Sequence, residues 1–206
     1  MNEGEARELF ERSGAMLSGH FQLSSGRHSD RYVEKSRVLE RPHVAMILAR
    51  EIASWYPRID VVVAPAVGAV ALGFAVALAA DARSLFSERE EGRMHLRRGF
   101  VVDPGEHALV VEDVVTTGTS AREVFQLVGE TGAEVLGVAA LIDRSTEAVR
   151  FPLRAILRVQ ARTWDPVECP MCLRGDPVQT PGSRLLRPTA TASGPEPGEA
   201  EPSSRG

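Results

Sequence analysis

The segment Leu109-Val110-Val111-Glu112-Asp113-Val114-Val115-Thr116-Thr117-Gly118-Thr119-Ser120 places two adjacent carboxylates at the end of an apolar run, just ahead of a small-residue loop and a helical pattern. The first backbone N–H groups of a helix have no partner within it, and the helix dipole adds positive potential there. The hydroxyls of Thr116, Thr117, Thr119 and Ser120 add donors, and Gly118 allows close approach of the backbone. Together these groups suit a phosphate monoester. Two carboxylates beside such a cradle would repel the same anion, so they fit another part of one ligand. Glu112 and Asp113 can accept hydrogen bonds from the vicinal hydroxyls of a sugar, and a ribose 5-phosphate satisfies both halves. The segment contains no Gly-Lys-Ser/Thr and no GxGxxG, which excludes a Walker loop and a dinucleotide fingerprint. The plainer alternative is a hydroxyl-rich helix cap after a core strand, and the paired acids at the strand end argue against it.

The elements that must position this loop follow from pattern. Continuous apolar runs at Val61–Ala64, Ala108–Val111 and Val135–Ile142, with a short strand at Ser84–Phe86, alternate with helical stretches at Gly68–Ala80 and Thr119–Glu130. Buried strands alternating with helices indicate an α/β fold with a parallel sheet covered on both faces. Upstream, Glu5–Met16 reads as an amphipathic helix. Residues 19–39, punctuated by Ser25-Gly26, read as a hairpin, and Pro42 opens a further helix. The charged stretch between Glu88 and Gly99 reads as a mobile loop or projecting hairpin. Residues 188–206 contain four Pro, three Gly and three Glu, with no Leu, Ile, Val or aromatic residue, and are expected to be a disordered tail.

Composition narrows the class further. A net charge of −4 across 206 residues gives no basic field for general nucleic-acid binding. The apolar stretch 61–80 is interrupted by Pro65, Gly68 and Gly73, so it reads as strand, turn and helix rather than a membrane span. The N-terminus shows no secretory pattern, which leads to the expectation of a cytoplasmic protein. Cys169 and Cys172 form a single CxxC, half of a usual four-ligand zinc site. A metal shared between two subunits would supply four thiolates, but nothing in the sequence demands it. His20, His28, His43 and His107 lack ligand spacing and are expected at the surface or in packing, so no metal site is assigned to side chains. Of the 24 Lys and Arg residues, 23 are Arg, and the only lysine is Lys35.

The Glu112–Ser120 segment closely resembles the phosphoribosyl-diphosphate (PRPP) signature of type I phosphoribosyltransferases. Several other segments resemble the orotate phosphoribosyltransferases in particular. Residues 19–32, GHFQLSSGRHSDRY, resemble that family's N-terminal base-binding hairpin, and Ala64–Ala69 its diphosphate-side loop. Leu141-Ile142-Asp143-Arg144 resembles the strand end whose arginine binds the orotate carboxylate. CPMC followed by PGSR, over 169–184, resembles the C-terminal segment of one bacterial subgroup. The resemblance spans about Glu5 to Arg187. It implies a central, mostly parallel five-stranded sheet flanked by helices, with a small N-terminal hood and a flexible lid loop. The expected single domain covers 1–187. Its hood comprises about 1–40 with the C-terminal segment 155–187, and its core about 41–154.

The implied reaction joins orotate and PRPP to give orotidine 5′-monophosphate and diphosphate, a step of pyrimidine (UMP) biosynthesis, with Mg²⁺ carried on PRPP. The resemblance gives Glu112 and Asp113 as ribose clamps, with Val114, Val115, Thr116, Thr117, Gly118, Thr119 and Ser120 as the phosphate cradle. Arg144, Thr116 and Tyr32 face orotate, and a guanidinium fork suits the orotate carboxylate. Arg89, Arg93, His95, Arg97 and Arg98 would form the lid's cation set for the departing diphosphate. Glu112, Asp113, Arg93 and His95 are the catalytic candidates, with Arg93 and His95 reaching a neighbouring subunit in a homodimer with shared sites. No nucleic-acid or membrane partner is implied.

Three cation positions common in the family are absent. Val67-Gly68-Ala69 stands where a Tyr-Lys-Gly is common, Ser24 replaces a lysine before the hairpin's Ser-Gly, and Glu88 stands at a cationic lid position. Lys35 is the candidate substitute contact for diphosphate or phosphate, against the reading of a leftover surface lysine. Two alternatives stay open: a type I transferase acting on another base, and a non-catalytic regulator of the same fold binding nucleic acid.

Overall fold

The computed structural model describes residues 1–23, 25–160 and 162–181. The expected tail at 188–206, the Ser24 position and Gly182-Ser183-Arg184 of the PGSR segment lie outside the described residues. Helix α1 (Glu3–Arg12) starts at a reciprocal cap, in which the Asn2 side chain accepts from the Glu5 N–H and Glu5 accepts from the Asn2 N–H. The chain then turns into β1 (Met16–Gln22), so the expected helix over Glu5–Met16 ends four residues early. Strand β1 pairs antiparallel with β2 (His28–Val33), which gives the expected hairpin. A short α2 (Ser36–Leu39) leads to α3 (Pro42–Ala53), which starts at the expected proline.

Strand β3 (Val61–Pro65) is buried along its whole length and is followed by α4 (Val70–Ala80). Next come β4 (Arg83–Glu90) and β5 (Arg93–Leu96), paired antiparallel, so the charged stretch forms a projecting hairpin. Strand β6 (His107–Val115) runs through both carboxylates before α5 (Thr119–Gly129). Strands β7 (Glu134–Asp143) and β8 (Leu153–Arg158) follow, and the sequence reading did not place β8. Last come β9 (Thr163–Trp164) and the four-residue α6 (Pro170–Leu173).

The main sheet has the order β5-β4-β3-β6-β7-β8. Five strands are parallel, as expected, and the antiparallel β5 is added at one edge. Through β8 the core sheet extends to Arg158. One face packs Leu109 and Leu141 against Phe10, Leu48, Ile52 and Leu72 from α1, α3 and α4. The other packs Val61, Val63, Val110 and Val138 against Val124 and Val128 of α5. Strands buried on both faces explain why β3 and β6 read as unbroken apolar runs. The small sheet β1-β2-β9 forms the hood, and Phe21 of β1 also bridges to Gln179. No helix among the described residues is long and apolar enough to cross a membrane.

His20, His28, His43 and His107 divide into two pairs. His43 is exposed, and His107 lies between Asp60 and Glu134. His20 and His28 are only 3% and 5% exposed, because the C-terminal segment folds back over the hairpin and covers them.

Candidate active site

Ligands of open α/β sheets bind outside the carboxyl ends of the strands, and part of the expected set collects there. Glu112 and Asp113 lie near the end of β6, both buried. Glu112 Oε1 accepts the Asp113 N–H at 3.0 Å, and Asp113 Oδ1 accepts the Val114 N–H at 2.6 Å. Asp113 Oδ2 forms an ion pair with Lys35 Nζ. Burial, and then the neighbouring Asp113 charge, push the Glu112 carboxyl up to about 8. Near neutral pH, Glu112 therefore holds a proton while Lys35 balances Asp113. The acidic pair presents little net charge, so an anionic ligand meets less repulsion than the sequence suggests.

The loop after β6 enters α5 through Gly118, whose φ of +72° is left-handed. A Cβ there would lie 3.1 Å from side-chain atoms of both Phe151 and Val149, so conformation and space both require glycine. The Thr117 and Thr119 hydroxyls are 3.0 Å apart. A small hollow of about 70 Å³ is bounded by Glu112 and residues 114–121, including the exposed Thr116, Thr117 and Thr119.

A larger cleft of about 1240 Å³ opens beside this loop. The hood contributes Gln22, Leu23, Arg27 and Tyr32, the sheet side contributes Thr116, Thr117, Arg144 and Phe151, and the C-terminal segment contributes Thr180 and Pro181. Arg144 is positioned by its backbone. Its N–H donates to the Val115 carbonyl at 2.8 Å, and the next residue is tied down where Asp143 Oδ1 accepts from the Ser145 N–H and hydroxyl. The guanidinium is half-buried, and burial lowers its pKa. No carboxylate among the described residues pairs with it. Burial, and then Glu34, raise the pKa of Tyr32, while the Arg144 charge counteracts them. A phenol and an unpaired guanidinium therefore share one wall region of the cleft.

The loop after β3 passes close to the acids. A Cβ on Gly68 would overlap Asp113 Oδ2 and fall 2.9 Å from Lys35 Nζ. The missing family lysine and the unusual Lys35 are thus linked, since glycine at 68 leaves the space that the Lys35 ammonium and the Asp113 carboxylate fill.

The hairpin cations are arranged differently. Arg98 pairs with Glu88 through two hydrogen bonds of 3.0 and 2.9 Å and lies over the Phe86 ring. The acid at the family's cationic position therefore holds an arginine of its own. Arg89 pairs with Glu123 of α5 and Arg97 with Glu90. Arg93 and His95 are exposed, and neither has a charged partner among the described residues. None of these five residues lines the cleft of its own chain. Sequence reasoning missed Arg122 and Arg27, both of which line the cleft. Arg122 lies four residues after Gly118, on the first turn of α5, and that spacing was the available signal.

A family profile described as Phosphoribosyl transferase domain matches residues 36–152. The chain is 49% identical over 185 residues to the orotate phosphoribosyltransferase of Thermotoga petrophila, covering 88% of this chain and 99% of that protein. It is 43% identical to the one from Caldicellulosiruptor saccharolyticus, covering 91% of this chain and 100% of that one. Among solved structures, orotate phosphoribosyltransferase from Aeropyrum pernix superposes with a TM-score of 0.59 at 26% identity, over 75% of this chain and 93% of that one. The Mycobacterium tuberculosis enzyme in complex with inorganic phosphate gives 0.58 at 28%, over 76% and 95%. At this identity across nearly the whole length of those relatives, this protein belongs to the orotate phosphoribosyltransferase family.

Proposed function

We propose that the chain transfers ribose 5-phosphate from PRPP to orotate, giving orotidine 5′-monophosphate and diphosphate in de novo pyrimidine biosynthesis. The observation that carries this reading is the half-buried Arg144 guanidinium, which has no carboxylate partner among the described residues and lines the cleft beside the proposed ribose-phosphate loop. A planar fork in a partly desolvated wall recognises a carboxylate that purine bases lack. Thr116 and Tyr32 would contact the rest of the base.

Bond breaking at C1′ develops positive charge on the sugar and negative charge on diphosphate. The protein's contribution is to orient the reactants and to complement those charges. The backbone N–H groups and hydroxyls of residues 114–120 would hold the 5-phosphate, and Glu112 and Asp113 the ribose hydroxyls. As Asp113 takes up those hydroxyls, Lys35 becomes free to reach a diphosphate oxygen. Asp113 is engaged by Lys35 and Glu112 holds a proton, so the fit for Mg²⁺ is through PRPP oxygens rather than side-chain ligands. When bound there, Mg²⁺ would neutralise the leaving diphosphate.

The remaining cations are proposed to come from a second copy. Arg93 and His95 are exposed and do not line their own cleft, and in a homodimer they would close over the partner's diphosphate and exclude water. Exposed Phe74 and Leu78, one turn apart on α4, together with exposed Val67 in the diphosphate-side loop, support a face covered by that copy. The unjoined Cys169 and Cys172 thiols accord with a cytoplasmic setting.

The direct test incubates the protein with PRPP, Mg²⁺ and each of orotate, adenine, hypoxanthine and uracil, and follows diphosphate release. Release with orotate alone is expected. Release with another base but not with orotate refutes the assignment.

A further inference from the structure

Four side chains from distant parts of the chain converge outside the cleft. His20 on β1, His28 on β2, Cys169 just before α6 and Cys172 within it each offer one ligand atom, and these atoms lie within 4.8 Å of one another. His20 Nε2 is 2.8 Å from His28 Nδ1, 3.5 Å from Cys169 Sγ and 3.7 Å from Cys172 Sγ. Cys172 Sγ is 3.2 Å from His28 Nδ1. We propose that these four residues bind one zinc ion per chain, a structural site that fastens the hood hairpin to the C-terminal segment.

The geometry fits this role. A tetrahedron with the usual Zn–N and Zn–S bond lengths separates its ligands by about 3.3 Å for N–N, about 3.6 Å for N–S and about 3.8 Å for S–S. The observed N–S separations bracket that figure, and the two imidazole nitrogens need to part by only about half an ångström. The tautomer is also prepared. His20 Nδ1 lies 2.9 Å from the Asp176 carbonyl oxygen, which can only accept, so Nδ1 carries the proton and Nε2 turns a lone pair toward the other three ligands. The binding step balances: two thiols lose their protons to solvent, and two thiolates with a divalent ion leave a neutral site, suited to a place where Cys169 and both histidines are buried. Two sulfurs and two imidazoles select zinc over the oxygen-seeking magnesium and calcium. Four protein ligands leave no open position for substrate, which marks the site as structural.

The site also lies on a seam that shapes the cleft. The Gln179 N–H donates to the His20 carbonyl at 2.7 Å, and the Gln22 N–H to the Gln179 carbonyl at 2.8 Å. Gln22, Tyr32 and Thr180, the near neighbours of these ligands and bonds, line the cleft. A bound ion would therefore fix the hood wall without touching the reacting atoms.

The test uses full-length protein without a histidine tag, desalted and assayed for metals by plasma mass spectrometry. About one zinc per chain is expected, and Cys172→Ser and His28→Gln should each reduce it at least tenfold. Cobalt reconstitution of the wild type should give the visible bands of a tetrahedral thiolate site, a readout independent of whether a variant folds. Wild-type chain that takes up no zinc on dialysis against it, and no cobalt in that tetrahedral form, overturns the proposal. So does a Cys169–Cys172 disulfide found by mass under non-reducing conditions, or zinc retained in both variants. Half a zinc per chain, lost with Cys172 but not with His28, would point to a thiolate site shared between subunits and would also overturn it. Because none of these readouts depends on turnover, they stand apart from the diphosphate-release assay.

Discussion

Lys35→Met removes the ammonium that balances the Asp113 carboxylate. The Asp113 side chain is 6% exposed, and its other oxygen is already occupied by the Val114 N–H. No second cation among the described residues pairs with it. Breaking a fully buried pair costs about 3–5 kcal/mol. The Lys35 side chain is 37% exposed, so water reaches the vacated space. Discounted for that screening, the expected loss is about 1–3 kcal/mol. For a domain of this size that corresponds to a Tm lower by roughly 3–10 °C. Adding Asp113→Asn should restore much of the stability, since the residue left behind is neutral. Lys35→Arg should fall between, because its wider planar head must fit beside Gly68, and its KM for PRPP should rise. Thermal unfolding and PRPP saturation curves on the four proteins decide the matter. A Lys35→Met variant that melts with the wild type and keeps its PRPP affinity refutes the reasoning. A double variant no more stable than Lys35→Met would mean that the loss comes from packing rather than charge.

Arg144→Ala should reduce orotate kcat/KM by about a hundredfold or more, the scale of a lost charge-assisted pair, while PRPP binding persists. Normal orotate turnover would exclude its role. Glu112 carries a pH signature: its folded-state pKa is raised to about 8, so the folded chain holds the proton more tightly than the unfolded one. Its stabilising contribution is complete below the ordinary glutamate range and falls as pH rises through about 8. Urea midpoints of the ligand-free protein should drop across that window and drop less in Glu112→Gln; parallel profiles would contradict the assignment. Gly118→Ala should cost about 1–2 kcal/mol for its left-handed backbone, and displacement of the cradle should weaken phosphate binding about tenfold or more. Unchanged phosphate affinity by calorimetry would show that the loop does not hold that group.

The proposed phosphate loop was legible because its parts lie within nine residues and their chemistry is local. The parallel sheet was legible because strands buried on both faces leave unbroken apolar runs. Strand β8 was not, since Pro152 precedes it and Arg154 and Arg158 interrupt its apolar residues. The pairing of Lys35 with Asp113 joins positions 78 residues apart, and only the folded Gly68 loop explains why a lysine fits there. The convergence of His20 and His28 with the CxxC depends on the C-terminal segment returning across the hood, at separations up to 152 residues. Local spacing carries no trace of such a return. The sequence shows the paired acids ahead of the loop, but the proton on Glu112 follows from burial, which composition does not reveal.

Strand β5 ends the main sheet, so one row of its backbone donors and acceptors has no neighbouring strand among the described residues. Such a border is a template on which another chain can add itself, and proteins guard it with brevity and charge. This one is four residues long, with Arg93 and His95 exposed and Met94 turned inward. The side chains proposed to serve a partner's diphosphate also keep this border from recruiting strangers. An alanine variant made to probe turnover would therefore strip a solubility safeguard as well, and its aggregation should be checked by light scattering before any loss of rate is credited to chemistry.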